Sequence, residues 1–227
     1  MIPVPCSLFP VPCSLLLIQF MQGSAINDSQ TVLGYAQEAT ASGHEHEEHP
    51  DLRMLGVVVF LVAESMIFLG LFSAYLIYRA MSPVWPPEGT ERELLLPAIN
   101  TVVLISSSFV MNQGAIAIKK NDSAGLRNWF VATAIMGLAF LAGQAYEYSQ
   151  LEFGLTTNLY ASCFYVLTGF HGLHVTFGVV LILAVLWRGR KTDHYSKESH
   201  FGPEAAELYW HFVDVVWIIL FILLYLL

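Results

Sequence analysis

Five long apolar stretches, joined by short polar connections, constrain this chain more than any other feature of its sequence. They fall at about residues 52–79, 95–118, 127–147, 159–187 and 205–227. A helix crossing a hydrocarbon core of about 30 Å needs about 20 residues, and every stretch is long enough. The fourth apolar run extends from 155 to 187, so it either tilts or opens as a loop outside the membrane. The runs are continuous instead of alternating, which selects helices over the strands of a barrel. The expected fold is all-α: a polytopic bundle of five transmembrane helices over residues 52–227, with successive helices as antiparallel neighbours.

Composition supports that expectation. Only 12% of the residues are charged, against about 25% in an ordinary soluble domain. The formal net charge of −8 gives no reason to expect nucleic acid as a partner. Cys6, Cys13 and Cys163 make neither a C-x-x-C pair nor a disulfide framework. Cys163 lies inside an apolar run and reads as a small packing residue.

Residues 1–51 form an N-terminal tail of a different kind. The pentapeptide V-P-C-S-L occurs at 4–8 and again at 11–15, and its prolines exclude a helix interior. Residues 1–20 have no Lys or Arg, so they do not read as a secretory signal. The expectation is a translated repetitive DNA element ahead of a start at Met21. Residues 21–51 are polar, end in H-E-H-E-E-H (44–49), and read as disordered and solvated.

Lys and Arg in the flanks set the expected orientation. Arg53, Lys119, Lys120, Arg127, Arg188, Arg190, Lys191 and Lys197 fall on one side, and Arg79 and Arg92 on the other. That asymmetry places the N-terminus in the cytoplasm and the C-terminus outside. Trp85, Trp129, Trp187 and Trp210 fall near span ends, where indole rings favour the headgroup layer. Gly70 with Ala74, Ser106 to Ser108, Ala139 with Gly143, and Gly169 with Gly172 are candidate helix contacts.

The polar residues inside the spans carry the functional information. Glu64 sits near the middle of span 1, where a charge costs about 2.5–3.5 kcal/mol on insertion scales. It should therefore face protein or water, as a functional carboxylate in a proton path or at an interface. Glu147 shares a helix face with Gln144 near the end of span 3, which favours a structural role. His171 and His174 share a face of span 4; alone they supply half a metal site, so interhelical hydrogen bonding is expected. Glu204, Glu207, His211 and Asp214 form one stripe on span 5. That stripe reads as a polar network docking the helix on its neighbours, with divalent-cation binding as the other option.

The segments holding these residues are A-E-S-M-I-F-L-G-L-F-S-A-Y (63–75), W-P-P (85–87), N-T-V-V-L-I-S-S-S (100–108), G-Q-A-Y-E-Y (143–148), F-Y-V-L-T-G-F-H-G-L-H-V (164–175) and Y-W-H-F-V-D-V-V-W (209–217). In kind and order they resemble cytochrome c oxidase subunit III, in a short five-helix form. The resemblance implies an accessory subunit without haem or copper of its own, packed beside the haem- and copper-bearing subunit I, with subunit II in the same complex. Those partners oxidise cytochrome c, reduce dioxygen and pump protons; subunit III supports proton uptake and protects the core during turnover. It places the family's carbodiimide-reactive carboxylate at Glu64. The long family form has seven helices, with lipid in a cleft between the first two and the rest. Those two are missing here, so that cleft does not carry over, although bound phospholipid stays within expectation.

Two alternatives follow. One is subunit III of a quinol oxidase, or a related subunit of a nitric oxide reductase. The other is a divalent-cation or proton-coupled transporter using Glu64, Glu207, His211 and Asp214. The chain shows no inverted repeat and no Gly- or Pro-broken helix in matching halves, which disfavours a transporter. The expected location is a bacterial cytoplasmic membrane or another energised membrane such as the thylakoid.

Overall fold

The computed structural model describes residues 52–90, 93–190, 195–196 and 199–227. The expectations for residues 1–51 and for Arg92, Lys191 and Lys197 lie outside the described residues. Five long helices follow one another: α1 (Leu52–Met81), α2 (Leu95–Lys119), α3 (Ser123–Gln150), α4 (Leu159–Arg188) and α5 (Phe201–Phe221). A π-helical turn, Ile222–Leu226, continues α5. All five are long and apolar enough to cross a membrane, and no strand occurs among the described residues. The fourth apolar run does open as a loop, since α4 begins only at Leu159.

Local chemistry explains the boundaries. The Asp122 side chain accepts from the Gly125 N–H at 2.8 Å and caps α3. Asn158 does the same for α4 through the Ala161 N–H at 2.7 Å. Asn121, at φ 58°, supplies the left-handed residue that the tight α2–α3 turn requires, a conformation Asn tolerates better than most. With so short a turn, α2 and α3 run side by side as a hairpin.

Helices α2, α3, α4 and α5 form a closed ring: α2 packs on α3, α3 on α4, α4 on α5, and α5 returns to α2. α1 stands outside the ring and touches α4 and α5. Trp210 is the ring's central anchor. It is 0% exposed, and its indole N–H donates to Ser107 Oγ at 2.9 Å. Its six-membered ring fills the space left by two glycines: a Cβ at Gly137 would lie 2.5 Å from it, and one at Gly178 2.9 Å. The headgroup position expected for Trp210 is thus corrected. Ten residues into the sequence of α5, it has two small partners to bury it and a hydroxyl to accept from its indole N–H. Trp129 and Trp187 are exposed.

Among the small residues, Gly143 does meet a neighbour, since the Asn100 side chain occupies the space a Cβ there would need. Gly70 faces open space, and Ala139 is exposed. Gly114 is a contact that composition alone does not single out: a Cβ there would lie 2.7 Å from the Phe130 ring. Close backbone approach in membranes depends on such residues.

α1 is bound more sparingly. Its buried residues are Leu61, Phe68, Phe72 and Tyr75, one narrow stripe at helical spacing. Tyr75 Oη donates to the Leu223 carbonyl at 3.0 Å and accepts from the Trp85 indole at 3.1 Å. Arg79 donates to the main-chain oxygen of Leu227. These bonds tie the end of α1 to the π-helical turn.

Candidate functional site

The intramembrane polar residues assemble into three separate interhelical clusters. The first joins α1 to α4. Glu64, near the middle of the thirty-residue α1, places Oε2 3.1 Å from His174 Nε2. The other ring nitrogen, His174 Nδ1, lies 2.8 Å from the Phe170 carbonyl. A carbonyl only accepts, so Nδ1 carries hydrogen. The Nε2–Oε2 contact then needs one more proton, held on either the carboxyl or the imidazole. Glu64 and His174 together thus form a one-proton pair. Phe68 and Phe170 pack on the His174 ring at 4.9 and 4.7 Å. The pair borders a 270 Å³ pocket lined also by Phe60, Leu173, Phe177 and Tyr209.

The second cluster joins α5 to α2. His211 Nδ1 is 2.9 Å from Ser108 Oγ, and Ser108 Oγ donates to Asp214 Oδ2. The hydroxyl has a single hydrogen, so His211 donates to it. Glu207 Oε1 lies 3.7 Å from His211 Nε2. The run is carboxyl, imidazole, hydroxyl, carboxyl, along the stripe expected on span 5. Glu204 is exposed and pairs instead with His200 at 3.7 Å.

The third cluster joins α3 to the end of α5. Glu147 accepts from Gln144 Nε2 at 3.0 Å and from Tyr225 Oη at 2.7 Å. Both residues of the Gln144–Glu147 pair are buried. Next in sequence to Glu147, Tyr148 places its Oη 2.6 Å from Thr168 Oγ1, linking α3 to α4.

His171 and His174 meet different neighbours. His171 is fully buried, edge-on to Phe140 at 5.8 Å and tilted over Trp217 at 4.9 Å. Neither of its ring nitrogens has a hydrogen-bond partner among the described residues. Three residues advance a helix by about 300°, leaving two side chains about 60° apart. That angle is enough to turn His171 into the ring and His174 toward α1. The expected interhelical hydrogen bond is therefore made by His174 and not by His171. Ser108 and Tyr225 are the partners that sequence reasoning missed as functional groups. The Ser106–Ser108 triplet was the available signal for one; nothing local pointed to Tyr225.

Between α1, α4 and α5 lies a larger, mostly apolar groove of 570 Å³, lined by Val57, Leu181 and Phe201 among others. Arg53, Arg188 and Tyr195 stand along it. Burial raises the Tyr195 phenol above its ordinary value, against the opposing pull of Arg188. Among the described residues, no group of three or more His, Cys, Asp or Glu could hold a metal ion.

The family model described as cytochrome c oxidase subunit III matches residues 14–227. The chain belongs to that family. A cytochrome c oxidase subunit 3 from Synechocystis is 67% identical over 213 residues, 93% of this chain and 90% of the relative. One from Thermostichus vulcanus is 60% identical over 189 residues, covering 83% of this chain and 94% of the relative. A probable cytochrome c oxidase subunit 3 from Nocardia farcinica is 39% identical over 199 residues, with 86% and 98% covered. The chain is thus a multi-pass membrane protein and an accessory subunit of a terminal oxidase, hence a member of an oxidoreductase complex. Family membership leaves the transporter reading without support.

Proposed function

We propose that this subunit III packs beside subunit I, in a complex with subunit II, and supports proton uptake and survival of the core during turnover. Haem and copper belong to those partners in this reading, and this chain carries no catalytic centre. The observation that carries the proposal is the 3.1 Å contact between Glu64 Oε2, near the middle of α1, and His174 Nε2. A carboxyl that is protonated or paired with an imidazolium is tolerated in a span where a lone carboxylate is costly. Glu207, His211 and Asp214 supply a second polar run, while Glu147 and His171 hold the bundle together at buried contacts. The groove beside Arg53 and Arg188 suits a phospholipid, with acyl chains on its apolar wall and the headgroup near the guanidinium groups. The N-terminus lies in the cytoplasm and the C-terminus outside, in a bacterial cytoplasmic or thylakoid membrane.

Purification in mild detergent tests this reading: the chain should bring down a haem- and copper-bearing partner that oxidises cytochrome c. A colourless, isolated chain overturns it, and oxidation of quinol instead moves it to the quinol oxidase branch. Glu64→Gln should leave assembly intact while activity decays several-fold faster during turnover or proton uptake slows. Unchanged behaviour on both counts returns Glu64 to a structural role.

A further inference from the structure

The polar run between α5 and α2 leads from an accessible edge to a shielded carboxyl. Asp214 is 4% exposed, and its Oδ1 has no hydrogen-bond partner among the described residues. Its Oδ2 accepts from Ser108, and Ser108 Oγ lies 2.9 Å from His211 Nδ1. At the other end the His211 side chain is 40% exposed, with Glu207 Oε1 3.7 Å from Nε2. Among the described residues, the hydrogen-bonded way out of Asp214 thus passes through one hydroxyl to one accessible imidazole. The helices packed on α5 bring their own titratable groups to other contacts. α2 contains no Asp, Glu or His, and its one cation, Lys119, lies eleven residues beyond Ser108. On α4, His171 packs on Phe140 and Trp217, while His174 pairs with Glu64 of α1. Arg79 reaches Leu227, and Arg53 and Arg188 line the apolar groove. On α5 itself, Glu204 pairs with His200, and residues 201–227 hold no Lys or Arg.

Resting on the reading that this subunit supports proton uptake, we propose that Asp214 is a proton-loading site, filled and emptied through Ser108 and His211. With Asp214 ionised, His211 Nδ1–H donates to Ser108 Oγ and the Ser108 hydroxyl donates to Oδ2, which leaves Nε2 bare. A proton arriving at Nε2 makes an imidazolium. Its Nδ1 hydrogen then passes to Ser108 Oγ as the hydroxyl hydrogen passes to Oδ2. The product is a neutral carboxyl and an imidazole with its hydrogen on Nε2. One proton has entered, one negative charge has gone, and the hydrogen bonds now run from Asp214 to Ser108 and from Ser108 to Nδ1. Emptying is the same exchange in reverse. Delivery onto Nε2 needs about 2.6–3.2 Å or one bridging water; a small swing of Glu207, or a water at the exposed edge of the ring, meets that condition. A lone carboxylate is costly inside a span, and loading removes it.

Infrared difference spectra of the complete oxidase, recorded between alkaline and acid pH, test the assignment. A carboxyl C=O band should appear on acidification, shift in heavy water and vanish in Asp214→Asn. With 15N-labelled histidine, one imidazole should move from the Nδ1–H to the Nε2–H form in step with that band. Ser108→Ala keeps both titratable groups and breaks the link, so the band should rise about tenfold or more slowly after a rapid pH change; Ser108→Thr should restore the rate. Co-purified haem shows that each variant is assembled, and if Asp214→Asn fails to assemble, the Ser108 variants and the histidine signal decide. A band that survives Asp214→Asn, a histidine that keeps its Nδ1 hydrogen throughout, or undiminished loading in Ser108→Ala overturns the proposal. Glu64→Gln keeps the two readings apart. Slower proton uptake in Glu64→Gln without an Asp214 band sinks the loading site and leaves the support of uptake standing. The band with uptake unchanged in both Glu64→Gln and Asp214→Asn upholds the loading site and sinks that support.

Discussion

α1 and the α2–α5 ring are all apolar enough to cross a membrane, yet they use their apolar surface in opposite ways. In the ring, Trp210, Phe130, Phe140, Phe164 and Trp217 are buried completely or nearly so, and glycines set the helix spacing. α1 buries four residues out of thirty and leaves most of its apolar surface outside. Lipid chains are as apolar as leucine, so apolar surface alone gives helices little reason to associate. What separates the two regions is shape and polarity. The ring has indoles seated against glycine and hydroxyls, whereas α1 is held by a few polar attachments, at Glu64, Tyr75 and Arg79.

The largest effect should therefore come from the ring's anchor. Trp210→Ala empties the space between Gly137 and Gly178 and leaves Ser107 without its indole donor. Losses for Trp→Ala in packed interiors run about 3–5 kcal/mol. A detergent-denaturation midpoint followed by helical circular dichroism should drop accordingly. A change under about 1 kcal/mol would break the comparison, because it would mean that the ring is held no more tightly than α1.

The five spans were legible because continuous apolar runs of this length have one solution in a membrane. Glu64, Glu147, His211 and Asp214 were legible as unusual, since a polar group at depth is costly wherever it points. Their partners were not. That Glu64 meets His174 depends on α1 lying across α4, and that Ser108 bridges His211 and Asp214 depends on α5 returning to α2. Trp210 misled for the same reason: an indole near a span end suits headgroups, and only the facing glycines of α3 and α4 turn it inward. Periodicity locates a residue on its own helix and is silent about which helix lies opposite.

A smaller effect is expected where α1 is tied down. Tyr75→Phe keeps the buried ring but removes the hydroxyl that donates to the Leu223 carbonyl and accepts from Trp85. The loss should be about 1 kcal/mol, the net value of a typical hydrogen bond, plus a share of any desolvation left at the carbonyl. Limited proteolysis of the α1–α2 connection should quicken while the ring's unfolding midpoint stays in place. A fall in that midpoint comparable to the Trp210→Ala loss would instead make α1 part of the same cooperative unit.

The smallest effect belongs to the outer surface of α1. Leu69 is 62% exposed, and its replacement by Ala removes side-chain atoms that lipid already solvates in both folded and unfolded chains. Surface substitutions of this kind fall within about 0.5 kcal/mol, and stability in detergent should be unchanged within that margin. Retention of the subunit in the oxidase should also be unchanged, because no polar group on that outward face calls for a protein partner. If Leu69→Ala loosens the subunit from the complex while leaving its own stability intact, the outer face of α1 is a protein contact after all. The picture of α1 as a lipid-facing helix held by a few polar attachments would then have to be redrawn with its outer face buried in the assembly.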